Sequence, residues 1–170
     1  KMPNFSEFKA VKSGALATGL FDISMREIND NFAFVFQGMI ECPKDGKYSF
    51  TLSSDDGSQL FINDKMIVDN DGVHGNQAKA GSVELKKGNH DIEVKYFELA
   101  GQEALIVSWS GPGFKNKPLS KTAPKAGQVV EGMLIEPLKG EATIYRNFID
   151  GAGPRAIGVG YHEGVNLAFD

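Results

Sequence analysis

Asp45-Gly46-Lys47-Tyr48-Ser49-Phe50-Thr51-Leu52-Ser53-Ser54-Asp55-Asp56-Gly57-Ser58-Gln59-Leu60-Phe61-Ile62 decides the fold. Tyr48, Phe50 and Leu52 alternate with Ser49, Thr51 and Ser53, so an extended chain carries its large apolar side chains on one face and its hydroxyls on the other. Turn residues close the run on both sides, Asp45-Gly46 before it and Asp56-Gly57 after it. The same period returns in Val83 and Leu85, and again in Ile92, Val94 and Tyr96. Asn63-Asp64, Asp71-Gly72 and Lys87-Gly88-Asn89 punctuate these runs, and no window from Asn31 to Trp109 sustains a capped helical stripe. Short strands at this spacing predict an all-β fold, an antiparallel sandwich or barrel.

Outside this stretch the pattern weakens. Residues 13–30 are irregular, with one helical turn at most over Met25 to Asn29. After Gly111-Pro112-Gly113 the chain turns polar and Pro-bearing from Asn116 to Ala126, which reads as a linker or an edge segment. Val129 to Ile135 and Ala142 to Ile149 read as further strands, and Gly151 to Gly164 is Gly-rich. The expected division is a β-sandwich over 1–118, followed by a linker and the start of an adjoining β-rich segment over 119–170. The opening Lys1-Met2-Pro3 and the abrupt end at Asp170 read as a piece of a longer chain, so other domains of the same parent chain are expected partners.

Composition narrows the function. With 170 residues, 41% of them hydrophobic and 24% charged, the chain can build a core without a metal or disulfide and is not a disordered segment. Its apolar run from Phe32 to Ile40 is broken by Gln37 and Gly38, which argues against membrane insertion. Eighteen basic against 22 acidic residues argue against a nucleic-acid partner. The lone Cys42, before Pro43 at the end of an apolar run, reads as a buried structural thiol.

Strand directions then point to one end of the molecule. If Lys47 to Ser54 runs upward and each connection is a simple reversal, three segments meet at the top: Asp55-Asp56-Gly57, the long loop Asn70 to Ala80, and Glu98 to Gln102. Loops gathered on one rim of a rigid scaffold are where binding sites form. Asp55-Asp56-Gly57 has two readings. Asp-Gly is an ordinary hairpin signal. Two neighbouring carboxylates that converge, with Glu98 and carbonyls opposite, instead suit a hard, oxygen-seeking cation such as calcium.

The run Asp45 to Phe50, Ser54 to Ile62, Val68-Asp69-Asn70-Asp71-Gly72, Gly88-Asn89-His90, Val94 to Glu98 and Ser108-Trp109-Ser110-Gly111-Pro112-Gly113 resembles the protective-antigen-type (PA-14) β-sandwich domain, in the right order from Phe32 to Gly113. The resemblance implies a secreted or cell-surface setting, as in adhesins, flocculins, glycosidases and toxins. In carbohydrate-binding members two consecutive aspartates joined by a cis peptide hold Ca2+, and the ion ligates vicinal sugar hydroxyls. Asp55 and Asp56 match that pair. Glu98 takes the side-chain role of the second loop, where yeast members carry Asn, and Ala100 and Gln102 offer carbonyls. From the place of their loops at the top, Gly101 and His74, Asn76 and Gln77 would line the glycan site, with a solvent-facing or loop-bracing role the favoured alternative for His74.

The tail, from Tyr145-Arg146-Asn147-Phe148 to Phe169, is similar to segments that follow such domains in large secreted bacterial proteins. It carries no Cys-x-x-Cys-His for a covalent haem.

Other chemistry finds little support. His74, His90 and His162 lack ligand spacing, Trp109 and Tyr96 read as core, Phe114 is freer, and no catalytic triad or acid–base pair can be assembled. The expected function is a non-enzymatic, calcium-dependent carbohydrate-binding module, with a calcium-stiffened spacer or protein-interaction domain as the alternative.

Overall fold

The computed structural model describes residues 1–15, 19–121 and 139–146, the last group by backbone alone. The strands in chain order are β1 (Lys12–Ala15), β2 (Phe32–Cys42), β3 (Gly46–Asp55), β4 (Ser58–Ile62), β5 (Lys65–Asn70), β6 (Gln77–Leu85), β7 (Gly88–Glu98), β8 (Ala104–Gly111), β9 (Phe114–Pro118) and β10 (Lys139–Arg146). They form a six-stranded sheet, β1-β10-β2-β7-β4-β5, and a four-stranded sheet, β6-β3-β8-β9. Every pairing between these strands is antiparallel. The fold is the expected antiparallel β-sandwich.

The alternation of β3 becomes its two faces. Tyr48, Phe50 and Leu52 are fully buried, while Lys47, Ser49 and Thr51 face solvent. Phe34, Phe36, Leu60, Ile92, Val94 and Tyr96 meet them from the other sheet in one cluster. Phe34 and Phe36 stack with centroids 5.0 Å apart, and Trp109 lies over Tyr48 and Phe50 at 5.5 and 6.0 Å. Aromatic pairs at such distances add to the burial of their area. Cys42 is buried in the same core, and that burial pushes its thiol pKa up.

Phe32 to Phe36 does not alternate, because all five residues are buried. The N-terminal segment explains this, laying Met2, Phe5 and Phe8 over Ala33 and Phe97 on what would otherwise be the outer face. Phe21 also enters the main core and bridges in parallel to Ser120. The helical turn expected over Met25 to Asn29 is instead a 3-10 turn at Ile23–Met25. Its N-cap is Asp22, whose carboxylate accepts from the Ser24 N–H at 2.8 Å.

Two boundaries differ from the sequence expectation. β6 begins at Gln77, not near Gly81, since Gln77 and Ala78 pair with Ser54 and Ser53 of β3. The top loop is therefore 71–76. β10 lies between β1 and β2, with Lys139 opposite Met39 and Arg146 opposite Phe32. It overlaps the strand expected at Ala142 to Ile149 and belongs to the sheet itself. The run Val129 to Ile135, the Gly-rich stretch, residues 122–126 of the linker, His162 and the tail motifs beyond residue 146 lie outside the described residues, while Asn116 to Pro118 form the end of β9.

β3 to β4, β5 to β6 and β7 to β8 all pass from one sheet to the other at the same end. Three loops therefore gather there as corners of the sandwich.

Candidate functional site

Asp55 ends β3, and its peptide bond to Asp56 is cis. Asp56 is 2% exposed and ties the three loops together. Its Oδ1 accepts from the His74 N–H at 2.8 Å, and its Oδ2 accepts from the Leu99 N–H at 2.9 Å. Its own N–H donates to Glu98 Oε2 at 3.0 Å. Gly57 follows where a Cβ would stand 2.2 Å from the Phe97 ring and 2.8 Å from the Gly72 carbonyl oxygen, so the corner admits only glycine without displacement.

Glu98, at the end of β7, is fully buried. The Tyr96 hydroxyl lies 2.5 Å from the Asp55 carbonyl oxygen and 3.2 Å from Glu98 Oε2, one proton serving two acceptors. Glu98 Oε1 has no donor among the described residues. Nor does any ion pair among the described residues involve Asp55, Asp56 or Glu98. Burial, and then the Asp56 charge, push the Glu98 pKa up from 4.5 to about 7, against the lowering effect of the Tyr96 and Asp56 hydrogen bonds. Burial and the Glu98 charge likewise hold the Tyr96 phenol well above its ordinary range.

The floor beneath is polar and hydrogen-bonded, although Asn70 Oδ1 has no partner among the described residues. Ser54 and Ser58 hydroxyls meet at 2.6 Å, and Asn70 Nδ2 donates to Ser54 Oγ at 3.1 Å and to the Gln77 carbonyl at 2.9 Å. All three of these side chains are fully buried.

The remaining candidates occupy the rim. The His74 ring folds onto its own loop, with Nδ1 2.9 Å from the Gly75 carbonyl oxygen and Nε2 3.1 Å from that of Asn70. Asn76 is exposed and accepts from Ser53 Oγ at 2.7 Å. Gln77 is exposed within β6, so it belongs to a strand and not to the loop. Ala100, Gly101 and Gln102 are exposed on the third loop, with Gly101 at φ +116° in the left-handed region.

That loop is clamped by a segment the sequence left unassigned. Arg26 pairs with Glu103, the Gly101 N–H donates to Asp30 Oδ1 at 3.2 Å, and the Asn31 N–H donates to the Leu99 carbonyl at 3.1 Å. Tyr96, read as a core aromatic, also carries the hydroxyl that braces Asp55 and Glu98. Its position two residues before Glu98, on the same strand face, was the available signal.

Among the described residues no three His, Cys, Asp or Glu side chains already enclose a common point. The acidic corner nonetheless keeps oxygens to spare. The Asp55 carboxylate accepts no hydrogen bond among the described residues, Glu98 Oε1 has no donor, and each Asp56 oxygen retains a lone pair beyond its amide.

The PA14 domain profile matches residues 23–123, more than half of the chain. The chain belongs to the PA14 domain family.

Solved PA14 structures similar to it include the "PA14 sugar-binding domain from RTX adhesin", at 23% identity over 52% of this chain and 51% of that one, with a TM-score of 0.47. The PA14 domain of the antifreeze protein MpAFP is 18% identical over 53% and 50%, with a TM-score of 0.48. An anti-sigma factor domain-containing protein from Clostridium clariflavum is 24% identical over 54% of this chain and 32% of that one, with a TM-score of 0.50. The last of these likenesses speaks to fold alone. The chain spans about half the length of the first two. No curated protein matches it significantly. Among the described residues no helix is long and apolar enough to cross a membrane.

Proposed function

We propose that this PA14 domain is a non-catalytic, calcium-dependent carbohydrate-binding module of a larger secreted or cell-surface protein. One observation carries the reading: at the corner where Asp55 meets Asp56, Asp56 is bonded to the buried Glu98, whose Oε1 lacks any donor, and no basic side chain pairs with these three carboxylates among the described residues. Buried anions without a partner are costly, and a bound cation offsets that cost.

Calcium suits the donor set, since it takes six to eight oxygens from carboxylates, carbonyls and outside ligands. Asp55, Asp56 and Glu98 would hold it together with the carbonyls of Ala100 and Gln102. Bound there, the ion supplies coordination positions that a pair of vicinal sugar hydroxyls can fill. Gly101, His74, Asn76 and Gln77 stand on the rim, where a glycan would be sorted by shape and hydrogen bonding. Asn76, Gln77, Ala100, Gly101 and Gln102 are exposed and offer few apolar contacts, so affinity for a single sugar is expected to be weak, ~0.1–10 mM, with useful attachment coming from several copies on a polymeric glycan.

The spacer reading also has an observation in its favour. Asp56 already ties both neighbouring loops through its two oxygens, so calcium could stiffen the rim without recruiting a sugar. A multivalent glycan array separates the two. The lectin reading expects signals that vanish with a chelator and in Asp56→Ala. A confirmed calcium site with no calcium-dependent signal at high valency leaves the spacer.

A further inference from the structure

At the opposite end of β3 the outer face of the four-stranded sheet holds an open cavity of about 450 Å3, lined by Lys47 and Ser49 of β3, Ser110 and Gly111 of β8, Gly113, and Phe114 and Lys115 of β9. Its volume lies in the ~300–1,000 Å3 range of small-ligand sites. Lys47 stands eight residues of strand from Asp55, about 26 Å at ~3.3 Å per residue, so this cavity is remote from the acidic corner.

We infer that this cavity is a second, calcium-independent subsite for a carboxylate- or sulfate-bearing sugar unit. Two features point to that ligand. First, Lys47 and Lys115 are exposed and form no ion pair among the described residues, although the chain carries a net charge of −4. Glu84 stands opposite Lys47 on β6 without forming an ion pair with it. Second, Ser82, Ser49 and Ser110 are direct cross-strand partners with Cβ atoms about 5 Å apart across β6, β3 and β8; of the two that line the cavity, Ser110 Oγ already accepts from the Asn116 N–H at 2.9 Å, and Ser49 makes no side-chain hydrogen bond among the described residues. Hydroxyls both donate and accept, as the hydroxyls of a sugar do.

Two ammonium groups flanking hydroxyls suit an anionic saccharide better than a neutral one, because charge-assisted hydrogen bonds are the stronger ones.

Choosing a glycan as the ligand class rests on the carbohydrate reading above; the anionic character rests on the cavity alone. The test therefore runs in chelator, where the acidic corner takes no part. Amide shifts of the full chain are followed during titration with three probes: a polygalacturonate oligosaccharide, a dextran sulfate oligosaccharide and neutral dextran. Expected are perturbations at Ser49, Ser110, Gly111 and Phe114 with one or both charged probes, the responding arm telling carboxylate from sulfate. The double variant Lys47→Gln/Lys115→Gln should weaken that binding about ten-fold, in proportion to two lost charge-assisted contacts. It should leave the calcium response of the acidic corner unchanged. Glu84→Gln should tighten binding about two-fold by removing the opposing charge. Equal perturbation by neutral dextran, no response to either charged probe, or undiminished binding by the double variant each overturns the subsite, whatever calcium does elsewhere.

Discussion

Glu98 is the residue on which the acidic corner turns. Its carboxyl is fully buried, bonded on one oxygen and undonated on the other, and its pKa is raised from 4.5 to about 7. In calcium-free protein the sign of the pH effect follows. Below about pH 4.5 the carboxyl is neutral folded and unfolded, and the stability it contributes is fully present. Between 4.5 and 7 the unfolded chain gives up its proton first, so stability falls as pH rises, and it levels off above about 7. The fall should be on the order of 2 kcal/mol. Urea unfolding in chelator across this window should show the fall in the parent and not in Glu98→Gln; parallel curves for the two would refute the burial argument. Calcium competes with the same proton, so its affinity should drop as pH falls through about 7.

At the scale of strands, the period of two in Tyr48-Phe50-Leu52 and Ile92-Val94-Tyr96 made β3 and β7 legible, because each has one face on the core. The same rule missed the first half of β2, since both its faces are covered at Phe32 to Phe36 and the covering segment is far away in sequence. The start of β6 was also missed: Gln77 to Ala80 carries no large apolar residue, and pairing with β3 alone makes it a strand. Gly81 within it had no turn to explain it. Its role is the close approach of β6 to β5, where a Cβ would stand 1.9 Å from the Ile67 carbonyl oxygen. Backbone cannot yield as a flexible side chain can, so Gly81→Ala should destabilise the chain by about 1–3 kcal/mol in chemical denaturation. A neutral result would contradict the tight corner between the two sheets.

Across the whole molecule, strand direction alone placed Asp55-Asp56, the loop before β6 and Glu98 at one end, and Asp56 joins all three by hydrogen bonds. Hidden from the sequence was the support from outside the alternating core. Arg26, Asp30 and Asn31 hold the third loop, and β10 inserts between β1 and β2 from far along the chain. Such pairings join residues of high sequence separation, which no local period reveals. The sandwich thus presents an acidic corner at one end and a lysine-flanked cavity near the other. Calorimetric titration of calcium into the full chain at about pH 8, above the Glu98 pKa, bears most directly on the acidic corner. The parent should give a saturable calcium heat, and Asp55→Ala, folded by circular dichroism, should give none. No uptake by the parent at millimolar calcium would reduce Asp55-Asp56-Gly57 to a turn between two sheets.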